Sequence, residues 1–155
     1  MSDRIFQILV VDDSDADVRL IKEMLREWTV RHCINVAQNA VEAMDVLCQE
    51  GNYHGAPRPD LILLDINMPG MNGLDLLRWV RNEPSVAGIP VLVMTTSDAE
   101  TDVLEAYSLK ANCFIKKPDD LTEFARIMRK IEVFWFGVAT LPPAATPPIC
   151  EANRQ

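Results

Sequence analysis

The sequence predicts an α/β domain, a doubly wound parallel sheet of five strands with five helices packed on its two faces. Three observations predict it. Short apolar runs alternate with amphipathic segments from residue 5 to about residue 138. The runs are apolar at every position rather than at every second one, as in strands covered on both faces. Ser, Asn or Asp followed three residues later by an acid recurs ahead of the amphipathic segments, the pattern of a helix start. Such alternation gives parallel strands joined by right-handed crossovers. The strand order 2-1-3-4-5 is expected by analogy with other doubly wound sheets, since the pattern alone does not set it.

Taken in order, Ile5–Val11 is the first strand and stops at Asp12-Asp13. Ser14 ahead of Asp17 opens the first helix, with Ile21, Met24, Leu25 and Trp28 on one face. Cys33–Val36 is the second strand. Asn39 ahead of Glu42 opens the second helix, whose inner face carries Ala40, Ala43, Met44 and Leu47. A long polar loop, Gly51 to Pro59, leads to the third strand, Leu61–Leu64, which stops at Asp65. Leu76, Leu77 and Val80 mark the third helix. Val91–Met94 is the fourth strand and stops at Thr95. Ser97 ahead of Glu100 opens the fourth helix, with Val103, Ala106 and Tyr107 inward. Cys113–Ile115 is the fifth strand, followed by Lys116-Lys117, and Asp120 ahead of Glu123 opens the last helix.

That last helix is too apolar for a plain surface helix. Phe124, Met128, Ile131 and Trp135 form one stripe, and Ile127, Ile131, Phe134 and Val138 form a second beside it. A sheet covers only one of them, and an uncovered apolar stripe marks a protein contact. The expectation is a homodimer built on the last helix and the tail. Residues 1–138 are read as the folded domain and 139–155 as a proline-rich tail, where Pro142, Pro143, Pro147 and Pro148 rule out a continued helix.

A net charge of −8 over 155 residues, without a basic cluster, excludes nucleic-acid binding through phosphate neutralisation. No apolar run is long enough to cross a bilayer, and the N-terminus lacks an export signal, so a cytoplasmic chain without membrane attachment is expected. The four cysteines, Cys33, Cys48, Cys113 and Cys150, have no metal-ligand spacing; Cys33 and Cys113, in apolar runs, are read as buried free thiols.

Ligands of parallel sheets bind beyond the carboxyl ends of the strands. Asp12, Asp13, Asp65, Thr95 and Lys117 all fall at such ends. Each alone is commonplace, as a cap, a turn residue or a solvated lysine; together at one edge they form a pocket. Clustered carboxylates repel one another, and a hard divalent cation relieves that cost. Magnesium, which takes a few carboxylates plus water and phosphate oxygens, suits the set better than calcium. Zinc is not expected, because neither His32 nor His54 lies at a carboxyl end. Asp65, delivered alone by the central strand, is the candidate to take a phosphoryl group as an acyl phosphate, with Lys117 pairing to that group and Thr95 donating a hydrogen bond.

The motifs VVDDSD at 10–15, LLDINMPGMNG at 63–73, VMTTSDAE at 93–100 and FIKKP at 114–118 are similar to those of the receiver domains of two-component response regulators. The resemblance spans about residues 5 to 138 and implies the flavodoxin-like receiver fold. It implies that Asp65 is the phosphoacceptor and that Asp12 and Asp13 hold magnesium with Asp65 and the Asn67 carbonyl. By the same resemblance, Thr95 and Lys117 contact the phosphoryl group and Phe114 is the aromatic switch residue. Asn67 and Ser97, two residues after the acceptor and the threonine, would tune dephosphorylation. The donor implied is a sensor histidine kinase. The long loop after the second helix, TTSDAETDV, ANCFIKKP and the final FWF further resemble single-domain regulators paired with phytochrome-type kinases.

Two other classes fit less well. An aspartyl-phosphate hydrolase needs a second acid two residues after the nucleophile, and Asn67 stands there. A flavin or nucleotide domain needs a glycine- or hydroxyl-rich phosphate loop after the first strand, where this chain has Asp12-Asp13-Ser14-Asp15. The expectation is a phosphorylation switch, not an enzyme acting on outside substrates. With no room for an output domain, it acts through an unnamed downstream protein.

Overall fold

Residues 4–143 are described by the structure, a computed structural model. The strands are β1 (Phe6–Val11), β2 (His32–Ala37), β3 (Leu61–Leu64), β4 (Val91–Thr95) and β5 (Cys113–Lys116). They form one parallel sheet in the order β2-β1-β3-β4-β5. The helices are α1 (Asp15–Leu25), α2 (Ala40–Cys48), α3 (Gly73–Asn82), α4 (Glu100–Ser108) and α5 (Leu121–Val133).

Side chains alternate across a strand, and the sheet accordingly separates two apolar layers. Leu9, Val11, Ile62, Leu64, Val91 and Val93 pack with Leu47 of α2, Leu76 and Leu77 of α3 and Ala106 of α4. Ile8, Val10, Leu61, Leu63, Leu92 and Met94 pack with Ile21 and Leu25 of α1 and Phe124 and Met128 of α5. The central strand β3 is buried along its whole length, which explains why its run carries no polar residue.

Three of the expected caps are in place. Ser14 Oγ accepts from the Asp17 amide, Asn39 Oδ1 from Glu42, and Asp120 Oδ1 from Thr122 rather than from Glu123. A further cap, Asn72 Oδ1 accepting from the Asp75 amide, starts α3. Ser97 does not cap α4. The N-cap is Ala99, and Ser97 Oγ donates to Asp102 Oδ2 at 2.6 Å. The acid three residues beyond Ser97, Glu100, lost to Asp102 two residues further in, which draws the hydroxyl across the start of the helix.

Three packing expectations are corrected. Cys33 is exposed, near the start of the edge strand β2; Cys48 is buried and Cys113 half-buried. Tyr107 is exposed rather than inward, and its hydroxyl accepts from the Phe114 amide of the edge strand β5 at 3.2 Å. The last helix does not run on regularly. It ends at Val133 and continues as a π-helical turn, Phe134–Val138, closed by the Ala139 amide donating to the Phe134 carbonyl at 2.6 Å. The wider turn rotates the stripes. Phe124, Met128 and Ile131 are buried and Ile127 and Trp135 half-covered, whereas Phe134 and Val138 are 48 % and 70 % exposed. Phe136 turns back onto Phe6 and Trp28, with ring centroids 4.7 and 5.4 Å away.

The segment beyond the turn is tied to the start of the chain. Leu141 is buried, and Arg4 Nη2 donates both to the Pro142 carbonyl and to Asp60 Oδ1. Pro147, Pro148 and Cys150 lie outside the described residues.

Candidate functional site

The carboxyl ends of β1, β3, β4 and β5 meet at one edge of the sheet. Parallel pairing sets Val11 beside Leu64 and Thr95 beside Lys116, so the residues that follow these positions converge. Asp12 is buried, and its Oδ1 accepts from the Ser14 amide at 2.9 Å. Asp13, next in the chain, is exposed at the rim. Asp65 is buried, its Oδ1 fixed by the Asn67 amide at 3.0 Å. Among the described residues, Asp12, Asp13 and Asp65 each present a carboxylate oxygen, all within 4.8 Å of one another.

Lys117 supplies the opposing charge. It is 5 % exposed, and its Nζ donates to Asp12 Oδ2 at 2.7 Å, Asp17 Oδ2 at 2.8 Å and Asp65 Oδ2 at 3.3 Å. Burial opposes its charge, but the hydrogen bonds to Asp12 and Asp17 outweigh burial and hold the ammonium above its ordinary pKa. Asp12 is also raised: burial favours its neutral form, and the bonds from Lys117 and Ser14 offset only part of that. One ammonium therefore serves more carboxylates than it neutralises. That surplus, on oxygen donors with an exposed member, fits a hard divalent cation that keeps some of its water.

Thr95 is fully buried at the end of β4. Its Oγ1 accepts from the Ser97 amide at 3.4 Å, and its carbonyl accepts from the Lys117 amide at 2.7 Å. Thr95 thus ties the β4–α4 turn to the backbone of the lysine. Asn67 is exposed at the mouth, with Nδ2 3.5 Å from Thr96 Oγ1. Phe114 is half-buried on β5. Lys116 faces away, paired with Asp98 at 3.0 Å. The stripe residues Ile127, Ile131, Phe134, Trp135 and Val138 lie on α5 and the turn after it, away from this edge.

Two contributors escaped the sequence reading. Asp17 registers there only as the acid of a capping box, yet its side chain reaches Lys117. Its signal was spacing: it lies on the first turn of α1, just beyond the two strand-end acids. Gly73 stands where a Cβ would overlap the carbonyl oxygen of Asp65 and approach Ile66 Cα at 2.7 Å, so α3 begins in backbone contact with the end of β3. Its signal was the only glycine at the apolar start of that helix.

Comparisons with known proteins agree with this geometry. The family described as response regulator receiver domain matches residues 8–129. The chain is 41 % identical over 137 residues to response regulator Rcp1 of Synechocystis, covering 88 % of this chain and 93 % of that protein. Among solved structures, the Mn(2+)-bound form of Rcp1 is similar at a TM-score of 0.84 with 40 % identity, covering 89 % of this chain and 99 % of that one. The phosphorylated cyanobacterial phytochrome response regulator RcpA is similar at 0.87 with 42 % identity, covering 90 % of this chain and 100 % of that one. With the family matched over most of the chain and these relatives at least 40 % identical along nearly all of it, the chain belongs to the response regulator receiver domain family.

Proposed function

We propose that this chain is a phosphorylation switch in which Asp65 takes a phosphoryl group from a sensor histidine kinase, of the phytochrome type, in a magnesium-dependent reaction. The observation that carries the proposal is the pair of hydrogen bonds by which buried Lys117 joins Asp12 to Asp65 at the carboxyl edge of the sheet. A carboxylate oxygen of Asp65 attacks the phosphorus of the phosphohistidine. The new O–P bond forms as the N–P bond breaks, and the imidazole nitrogen keeps the electron pair. Lys117 supplies a point charge to the phosphoryl oxygens. Asp12, Asp13, Asp65 and the Asn67 carbonyl would hold Mg2+, whose part is to neutralise charge on the transferred group.

Thr95 then turns its hydroxyl from the Ser97 amide toward the phosphoryl group, and Phe114 moves inward behind it. The α4–β5–α5 face changes, and a downstream protein reads the difference; a bias of a few kcal/mol is enough. Asn67 and Ser97 border the path of the attacking water and set how long the acyl phosphate lasts. An amide at Asn67, in place of a second acid, supports a signalling protein rather than an enzyme with an outside substrate.

The receiver unit is assigned to residues 1–138 with 139–155 as a tail. Exposed Phe134 and Val138 support a homodimer through α5 and the turn that follows it. The net charge of −8 argues against nucleic acid as a partner. Among the described residues no helix is long and apolar enough to cross a membrane, and a cytoplasmic location is part of the same reading.

The test is intact mass after incubation with Mg2+ and a phosphorylated phytochrome-type kinase. A single phosphoryl adduct is expected, absent in Asp65→Asn and absent without the metal. No adduct from any of several kinases, with the protein folded, would overturn the acceptor reading.

A further inference from the structure

Asp17 stands outside the group of carboxylates that fits a cation. Its Oδ2 is nevertheless 2.8 Å from Lys117 Nζ, closer than Asp65 at 3.3 Å. An ammonium has three N–H donors, and its three partners here are Asp12, Asp17 and Asp65. A phosphoryl group on Asp65 needs one of those donors. Asp12 and Asp65 belong to the cation set and loosen their hold on the lysine when a cation arrives. Asp17 does not. It sits on the first turn of α1, with its own amide bonded to Ser14 Oγ at 3.2 Å, so the backbone that carries its carboxylate is anchored outside the cation set.

We infer that Asp17 is a positioning residue that competes with the phosphoryl group for Lys117. It holds the ammonium in the resting pocket and thereby sets how readily an anion occupies the site at Asp65. The inference rests on the acceptor reading above. Two effects of opposite sign follow from neutralising Asp17. An N–H donor is freed and a negative charge beside the incoming anion disappears, so a phosphoryl mimic binds more tightly. Lys117 also pairs more fully with Asp12 and Asp65, the oxygens a cation needs, so a cation alone binds more weakly. Damage to the fold or to the start of α1 weakens both.

The experiment titrates the full chain with beryllofluoride at saturating Mg2+, and separately with Mn2+ alone. It compares wild type, Asp17→Asn and Asp15→Asn, with Asp17→Ser used if the amide variant does not fold. Asp15 is the control because it is also a first-turn acid of α1, but its carboxylate accepts from Gln38 Nε2 at 3.2 Å. Asp17→Asn is expected to bind beryllofluoride about five-fold more tightly and Mn2+ about two-fold more weakly, the size of one partly exposed ion pair. Asp15→Asn is expected to match wild type in both. Beryllofluoride binding no tighter in Asp17→Asn, an equal gain in Asp15→Asn, or a rise in Mn2+ affinity would each overturn the competition. A wild type that binds no beryllofluoride would instead overturn the acceptor reading, and this inference with it.

Discussion

Gly73 and Asp65 touch through their backbones: the first residue of α3 packs against the carbonyl of the residue that ends the central strand, and no space is left for a methyl group. Asp65 is therefore held from two sides, by the Asn67 amide on its Oδ1 and by the helix start against its backbone carbonyl. Gly73→Ala is expected to cost about 2–3 kcal/mol, since the neighbour is backbone and yields little. It is expected to lower phosphorylation of Asp65 as well. Urea unfolding and intact mass check the two parts; a variant with wild-type values in both would mean that α3 shifts freely.

Removing the buried ammonium leaves its carboxylates facing one another. Lys117→Met is expected to lose about 2 kcal/mol in the presence of a chelator, and to recover much of it in Mg2+, which can replace the missing positive charge. Thermal unfolding with and without the metal gives the comparison. A loss unaffected by Mg2+ would count against a cation site at these acids.

Glu132 is the one charged residue in the apolar end of α5, and it is 4 % exposed. Its Oε2 accepts from the Thr29 amide at 2.6 Å and the Val30 amide at 3.1 Å, while Arg129 Nη1 donates to Oε1 at 3.1 Å. The carboxylate thus caps the chain between α1 and β2. Glu132→Ala leaves these amides without an acceptor and is expected to cost about 2–3 kcal/mol, most of it recovered in Glu132→Gln. Urea midpoints for both variants decide it; equal losses would place the effect in the charge rather than in the acceptor.

Burial pushes the Cys113 thiol up to about 11. At pH 8 only about one molecule in a thousand then carries the reactive thiolate there. Among the described cysteines, iodoacetamide is expected to label exposed Cys33 first and to leave Cys48 and Cys113 largely unmodified. Labelling of Cys113 should rise as the pH approaches 11, because the raised pKa keeps the thiol neutral below that value. Peptide mapping over time reads the order; rapid modification of Cys113 at pH 8 would show that β5 opens.

The packing of Trp135 makes it a poor probe of association, since replacing it disturbs the core it half covers. Phe134 and Val138 are the better choices. Phe134→Asp with Val138→Asp is expected to halve the sedimenting mass with little change in unfolding midpoint. A monomeric wild type, or a variant of unchanged mass, would remove the dimer.

Much of this protein was legible in its residues. Local capping and runs apolar at every position located each strand and most helix starts, because those signals arise from neighbours in the chain. The ends of four runs pointed to the pocket for the same reason: a strand's last residue is known once the strand is known. Ser97 was misread because Asp102 competes for its hydroxyl, and that choice is made only when the β4–α4 turn has formed. Cys33 was misplaced because an edge strand leaves one side without a neighbour, and periodicity does not say which strand is the edge; Tyr107 was misplaced because α4 buries Ala106 and turns the next residue outward.

The sequence by itself determined the elements, the sheet class and the strand-end acids, since each follows from short-range pattern. Only the tertiary structure decided that Asp17 shares Lys117 with Asp12 and Asp65, that Gly73 abuts Asp65, and that the π-helical turn covers Phe136 while exposing Phe134. Those relationships join residues far apart in the chain, or rest on a local change of helical pitch. Distance between side chains is fixed by packing and not by spacing.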